Sequence, residues 1–164
     1  MGFYNKLIFA SAFFVLASCS TTTPTIDNDT VVKLKRTACY GSCPVYTVSV
    51  KANGVVEYEG HEYVAFKGFQ TASLPKESVE QIEKELIKVK FLKMKSHLDS
   101  GSWGCFISAT DSSHIIIEGI VKNKKKAVST YIGCESKQVD EVISLANYID
   151  QVAGTSKWVK ETAK

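Results

Sequence analysis

The chain has 164 residues, 45% of them hydrophobic, and a formal net charge of +3. That length suits one domain with enough chain to bury a real core. The near-balance of 20 basic and 17 acidic side chains gives no ground for a nucleic-acid partner.

Lys6 precedes an apolar run from Leu7 to Leu16, and Ala17, Ser18 and Cys19 follow it. A charged start, a short apolar core and small residues before a cut form a secretory signal peptide. The run falls short of the ~20 residues that span a bilayer, so no transmembrane helix is expected. Leu-Ala-Ser before Cys19 resembles a bacterial lipoprotein signal, with cleavage before Cys19 and lipid on its sulfur. Such a chain carries a diacylated thioether and usually an acylated amine, enough for stable anchoring. Ser20, standing where aspartate would hold the protein back, implies the outer membrane, facing the periplasm. Removing residues 1–18 takes away Lys6 and leaves 146 residues (164 − 18) with 19 basic and 17 acidic groups, net +2.

Ser20 to Thr30 is polar and threonine-rich, which predicts a disordered tether over 19–30. The folded domain is expected over 31–153. Val32 and Leu34 alternate with Lys33 and Lys35, as in a half-buried strand. Tyr46, Val48 and Val50 repeat that pattern, and Val56 and Tyr58 resume it after Asn53-Gly54. Asn-Gly between alternating runs predicts a hairpin with a type I′ turn. His61 to Phe69 is expected to add a short edge strand. Residues 75–92 read as a helix, with Val79, Ile82, Leu86 and Val89 on one stripe. Ser96 to Gly104 reads as a loop. Strands are predicted over 113–121 and 127–132 around a polar turn at Asn123, and a second amphipathic helix over 137–152. The tail, 154–164, is expected to pack loosely through Trp158 and Val159. Strands in groups with helices between them predict an α+β fold: an antiparallel sheet of about five strands with two helices on one face.

With Cys19 assigned to lipid, Cys39, Cys43, Cys105 and Cys134 remain, an even number for an oxidising compartment. Three pairings are open. The tight Cys-Tyr-Gly-Ser-Cys-Pro turn favours Cys39–Cys43, and the hairpin bracketed by the other two favours Cys105–Cys134.

Arg36-Thr37-Ala38-Cys39-Tyr40-Gly41-Ser42-Cys43-Pro44-Val45-Tyr46, then Asn53-Gly54 and Tyr58-Glu59-Gly60, resembles the opening of the bacterial family called domain of unknown function 6438. Thr110-Asp111 and the final helix ending in Ile149-Asp150 are also similar to it. The resemblance covers roughly 31–152 and implies a shared fold and an envelope setting, with no activity attached. Cys105 and Cys134 stand outside the family's pattern, which supports their pairing with each other.

The chemistry-bearing residues do not assemble into a catalytic motif. Cys39-x3-Cys43 precedes a strand, whereas redox dithiols are usually Cys-x2-Cys at a helix N-terminus. His61, His97 and His114 could join those cysteines in a metal site only without any supporting spacing. Ser100-Gly101-Ser102-Trp103-Gly104 is not a nucleophile elbow, and nothing in the sequence pairs Asp99 with Asp111 as catalytic carboxylates. No catalytic residue, metal or other cofactor is therefore assigned. Four lysines around Asn123 read as a charged hairpin tip that discourages edge pairing, or as a contact for anionic lipid headgroups. Tyr40, Tyr46, Tyr58 and Tyr63 offer a possible binding surface if the sheet face without helices displays them. The expected function is a non-catalytic binding module in the envelope, held to the membrane through Cys19 and taking a protein, glycan or peptide. The alternatives are an envelope thiol-redox or hydrolytic enzyme, or a small inhibitor of lysozyme or protease.

Overall fold

A computed structural model describes residues 26–106 and 108–160. The expected signal sequence (1–18), the expected lipid attachment at Cys19 and the expected tether up to residue 25 lie outside the described residues. β1 (Thr30–Arg36), β2 (Val45–Lys51), β3 (Val55–Glu62) and β4 (Gly68–Ser73) form a meander. α1 (Lys76–Lys88) and a single 3-10 turn (Phe91–Lys93) lead to β5 (His97–Leu98). β6 (His114–Val121) and β7 (Lys124–Tyr131) form a hairpin, followed by α2 (Lys137–Ala153) and α3 (Ser156–Val159). The sheet order is β4-β3-β2-β1-β6-β7-β5, antiparallel except for the β5–β7 pair.

The α+β reading holds, but the sheet has seven strands, not about five. Two of the seven strands carry weak signals. β4 (GFQTAS) has few apolar residues to alternate, yet it pairs with β3 from Val55–Ser73 to Gly60–Gly68. β5 is only two residues long and lies inside the expected loop. His61 belongs to the end of β3, and the edge strand starts later than expected.

The turns differ as well. Gly54 alone of the Asn53-Gly54 pair has a positive φ, at 87°, and residues 52–54 make a three-residue loop. The type I′ pair is Lys122-Asn123, with φ of 50° and 61°. α1 ends early because Lys90 turns left-handed, at φ 54°, after Val89. Ser136 caps α2 by accepting the Val139 N–H, and Gly154 at φ 67° ends it.

Both helices cover one face of the sheet. Val32, Leu34, Val48, Val56, Ile117 and Val128 point beneath them and are fully buried, against Ile82, Leu86, Val142 and Ile149. The other face carries Lys33, Lys35, Thr47, Ser49, Glu57 and Glu59, one row apart in register. Glu118 sits on that open face between Lys33 and Ala127, only 6% exposed. Burial raises its carboxyl above the ordinary carboxylate value, with Lys33 opposing the shift. As pH rises from that ordinary value towards the raised one, the unfolded chain gives up the proton first and stability falls. Glu118→Gln is therefore expected to gain stability over the natural chain at pH 7 but not at pH 4, read from denaturant midpoints. A less stable variant at pH 7 would mean that pairing with Lys33 outweighs desolvation.

The two termini depart from expectation. Ile26 and Thr30 are buried, so the last residues of the expected tether, 26–30, already belong to the packed domain. The tail is not loose: Trp158 is 6% exposed and its ring stacks on Tyr58 at 4.9 Å. The Phe66 N–H donates to the Trp158 carbonyl and the Ala65 N–H to that of Val159, joining the tail to the β3–β4 loop. Gly60 allows this closure, because a Cβ there would run into the Phe66 carbonyl and the Tyr58 ring.

Candidate functional site

The sheet has two distinct ends. At one, β1 begins and the β2–β3 and β6–β7 turns lie. At the other, β1, β3, β5 and β7 finish, and the long loops lie. The Arg-Thr-x-Cys-x-Gly-x-Cys-Pro-x-Tyr segment sits at that second end. Its arginine and tyrosine are cross-strand partners, Arg36 closing β1 and Tyr46 second in β2.

Asp150, from the last turn of α2, holds both. Arg36 donates through Nε at 3.0 Å and Nη2 at 2.8 Å to Asp150 Oδ2, and Tyr46 Oη donates to the same oxygen at 2.8 Å. Thr155 Oγ1 donates to Oδ1 at 2.9 Å, and Arg36 Nη2 reaches Asn147 Oδ1 at 2.9 Å. Burial opposes the charge on Arg36, but Tyr46 and Asp150 outweigh it and hold the guanidinium ionised above its ordinary value. Burial and the nearby Asp150 charge push the Tyr46 phenol well up, so it stays a donor. Burial, then Asp150, pushes the Tyr58 phenol up to about 12. A groove of about 380 Å³ runs past Asn147, Asp150, Thr155 and Lys160. With its carboxylate saturated by internal donors, this cluster acts as a clamp of α2 onto the sheet.

The clamp frames the loop between Arg36 and Tyr46. The Thr37 N–H donates to the His114 carbonyl, the His114 N–H to Thr37 Oγ1, and the Tyr40 N–H to the Asp111 carbonyl. Cys39 and Cys43 are bonded, with Cα atoms 5.7 Å apart, and Tyr40 between them is 89% exposed. A second staple, Cys105–Cys134, has Cα atoms 5.3 Å apart and ties the β5–β6 loop to the end of β7. Both pairings are those the spacing favoured. In that second loop the Trp103 and Phe106 rings meet edge to face at 5.6 Å, and they are 82% and 75% exposed. Lys95 Nζ donates to the Trp103 carbonyl at 2.6 Å, and the Ala109 N–H donates to Gly133. The β3–β4 connection adds Tyr63 and Phe66, and the start of β4 adds Phe69, all exposed. Tyr63 holds φ at 52°, an uncommon and costly conformation for a bulky side chain.

Of the four tyrosines offered as a binding surface, Tyr46 and Tyr58 are withdrawn: they are 3% and 1% exposed. The alternation that makes their strands half-buried aims them at the helix face, where Asp150 and Trp158 cover them. Tyr40 and Tyr63 remain exposed, but on loops and not on the open sheet face. Trp103 and Phe106 join them at the same end; their isolated placement in a glycine- and serine-rich segment was the available signal.

The polar candidates divide into separate pairs. His114 Nε2 lies 2.9 Å from Asp99 Oδ1, and Ser100 Oγ lies 2.6 Å from Ser108 Oγ. Asp111 takes part through its backbone carbonyl and holds φ at 67°. His61 and His97 are exposed on β3 and β5, apart from the bonded Cys39 and Cys43. Among the described residues no group of three or more His, Cys, Asp and Glu could hold a metal ion, and no helix is long and apolar enough to cross a membrane.

No curated protein matches this sequence. A family model does match, over residues 30–153, a span that holds the Arg36–Tyr46–Asp150 clamp and both disulfides. The chain belongs to the family described as Domain of unknown function (DUF6438).

Proposed function

We propose that this protein is a lipid-anchored module of the bacterial envelope that binds a glycan through its aromatic end. The observation that carries the reading is one of position. Of the strongly exposed aromatic residues, Tyr40, Tyr63, Phe66, Trp103 and Phe106 come from loops at one end of the sheet, and Phe69 from the start of β4 at that end. Ile26, where the segment following Cys19 joins the domain, belongs to the opposite end, beside β1's start. A chain anchored at Cys19 would therefore hold its aromatic loops away from the membrane, on a frame stapled by two disulfides.

The chemistry around the rings fits a sugar. The loop from 99 to 113 carries two carboxylates, no lysine or arginine, and six serine or threonine hydroxyls. Exposed ring faces suit the C–H face of a pyranose, and hydroxyls and carboxylates suit its hydroxyl groups. An exposed aromatic pair such as Trp103 with Phe106 suits an interaction site.

The test is co-sedimentation of the purified protein with peptidoglycan sacculi, compared with a Trp103→Ala/Phe106→Ala variant. Binding that falls about ten-fold or more in the variant is expected, as for loss of a central aromatic pair. Equal, weak retention of both proteins would overturn the glycan assignment. A protein partner retained through the same two rings would replace it.

A further inference from the structure

The end of the sheet at which the described chain begins, at Ile26, has a surface of its own. Ile87, Phe91, Leu92 and Val121 wall a cavity of about 230 Å³ between the end of α1 and the β6–β7 turn. Lys90, Lys93 and Lys122 stand around it. Ile87 is 49% exposed, the one large aliphatic residue so exposed among the described residues. Lys124 is next to Lys122 across the turn, and Lys125 donates from Nζ to the Ile26 carbonyl at 2.7 Å. The apolar cavity, the lysines and the start of the folded chain thus share one end of the molecule.

Two further observations mark this as more than a solvated lysine patch. Among the described residues Lys90, Lys93, Lys122 and Lys124 enter no ion pair, whereas Lys51 at the same end is matched by Asp27, Asp29 and Glu57 at 3.4–3.6 Å. Lys90 and Lys122 also hold left-handed backbones, at φ 54° and 50°, which cost a non-glycine residue ~1–2 kcal/mol each. Asparagine or glycine would relieve that cost.

We infer that this end docks on the anionic phospholipid surface of the membrane that holds the protein, lipid phosphates meeting the four lysines and acyl carbons meeting Ile87 and the cavity. The inference rests on the lipid-anchor reading above. Seven peptide links separate Cys19 from Ile26, a reach of at most ~25 Å, so an anchored chain keeps the lysines near the headgroups. The net charge of +3 does not show this, because acidic groups elsewhere in the chain offset a local group of four lysines.

The test uses the full protein purified from membranes and reconstituted in vesicles of phosphatidylcholine alone, or with 30 mol% phosphatidylglycerol (about a third, chosen to give a clear surface potential). Lysines are labelled with a membrane-impermeant acylating reagent and read by peptide mass. Lys90, Lys93, Lys122 and Lys124 are expected to label about five-fold less in the anionic vesicles. Lys67 and Lys157, at the opposite end, should be unchanged, and high salt should restore labelling at the four. Equal labelling in both vesicle types overturns docking. The mass of the N-terminal peptide reports separately whether Cys19 carries lipid, so failure of the anchor is distinguished from failure of the surface.

Discussion

Asp150→Ala is expected to lower folding stability by about 3 kcal/mol, measured by urea denaturation followed by circular dichroism. The substitution removes the acceptor for Arg36, Tyr46 and Thr155 at once. It strands the Arg36 guanidinium, whose side chain is only 21% exposed, without its counter-charge. The size is set below that of a wholly buried pair because water still reaches both partners. Asp150→Asn keeps the shape and an acceptor oxygen while removing the charge, so it should lose about half as much. A loss below ~1 kcal/mol for alanine would mean that the cluster behaves as an ordinary surface pair. The expected damage is local as well as global, because Arg36 and Tyr46 bracket the loop that displays Tyr40.

Cys105→Ala/Cys134→Ala is expected to cost about 3.5 kcal/mol, on the view that a disulfide acts by restricting the unfolded chain. The bridge spans a separation of 29 residues. Cys39→Ala/Cys43→Ala, across a separation of only four, should cost about 2 kcal/mol by the same reasoning. Both longer-range cysteines are buried beside Leu98 and Val139, so alanine avoids placing an unsatisfied hydroxyl there. Denaturant midpoints of the two double variants decide the order, and a reversed order would contradict the loop-closure account. The Cys105–Cys134 variant should also lose sacculus binding while still folded, because the loop carrying Trp103 and Phe106 would be released from β7.

Much of this was legible in local patterns. Period-two alternation identified the strands around Leu34, Val48, Tyr58 and Ile117, and the apolar stripe of Val79, Ile82 and Leu86 identified α1. It failed for β4 and β5, whose side chains are too small, polar or few to show a period. Their strands exist because a neighbour with unpaired backbone groups was there to receive them. Alternation also reported that Tyr46 and Tyr58 were half-buried candidates without telling which face the helices would cover.

The sequence by itself determined the α+β class, the two helices, the favoured cysteine pairs and the family segment, because each depends on residues close together in the chain. Only the tertiary structure decided that Asp150 completes the Arg36–Tyr46 pair, across 114 and 104 positions. It alone decided that Trp158 belongs to the core, that Trp103 meets Phe106, and that Lys90, Lys93 and Lys122 surround one apolar cavity. Strand order and the direction of each loop are set by long-range pairing and burial, which leave no trace in local spacing.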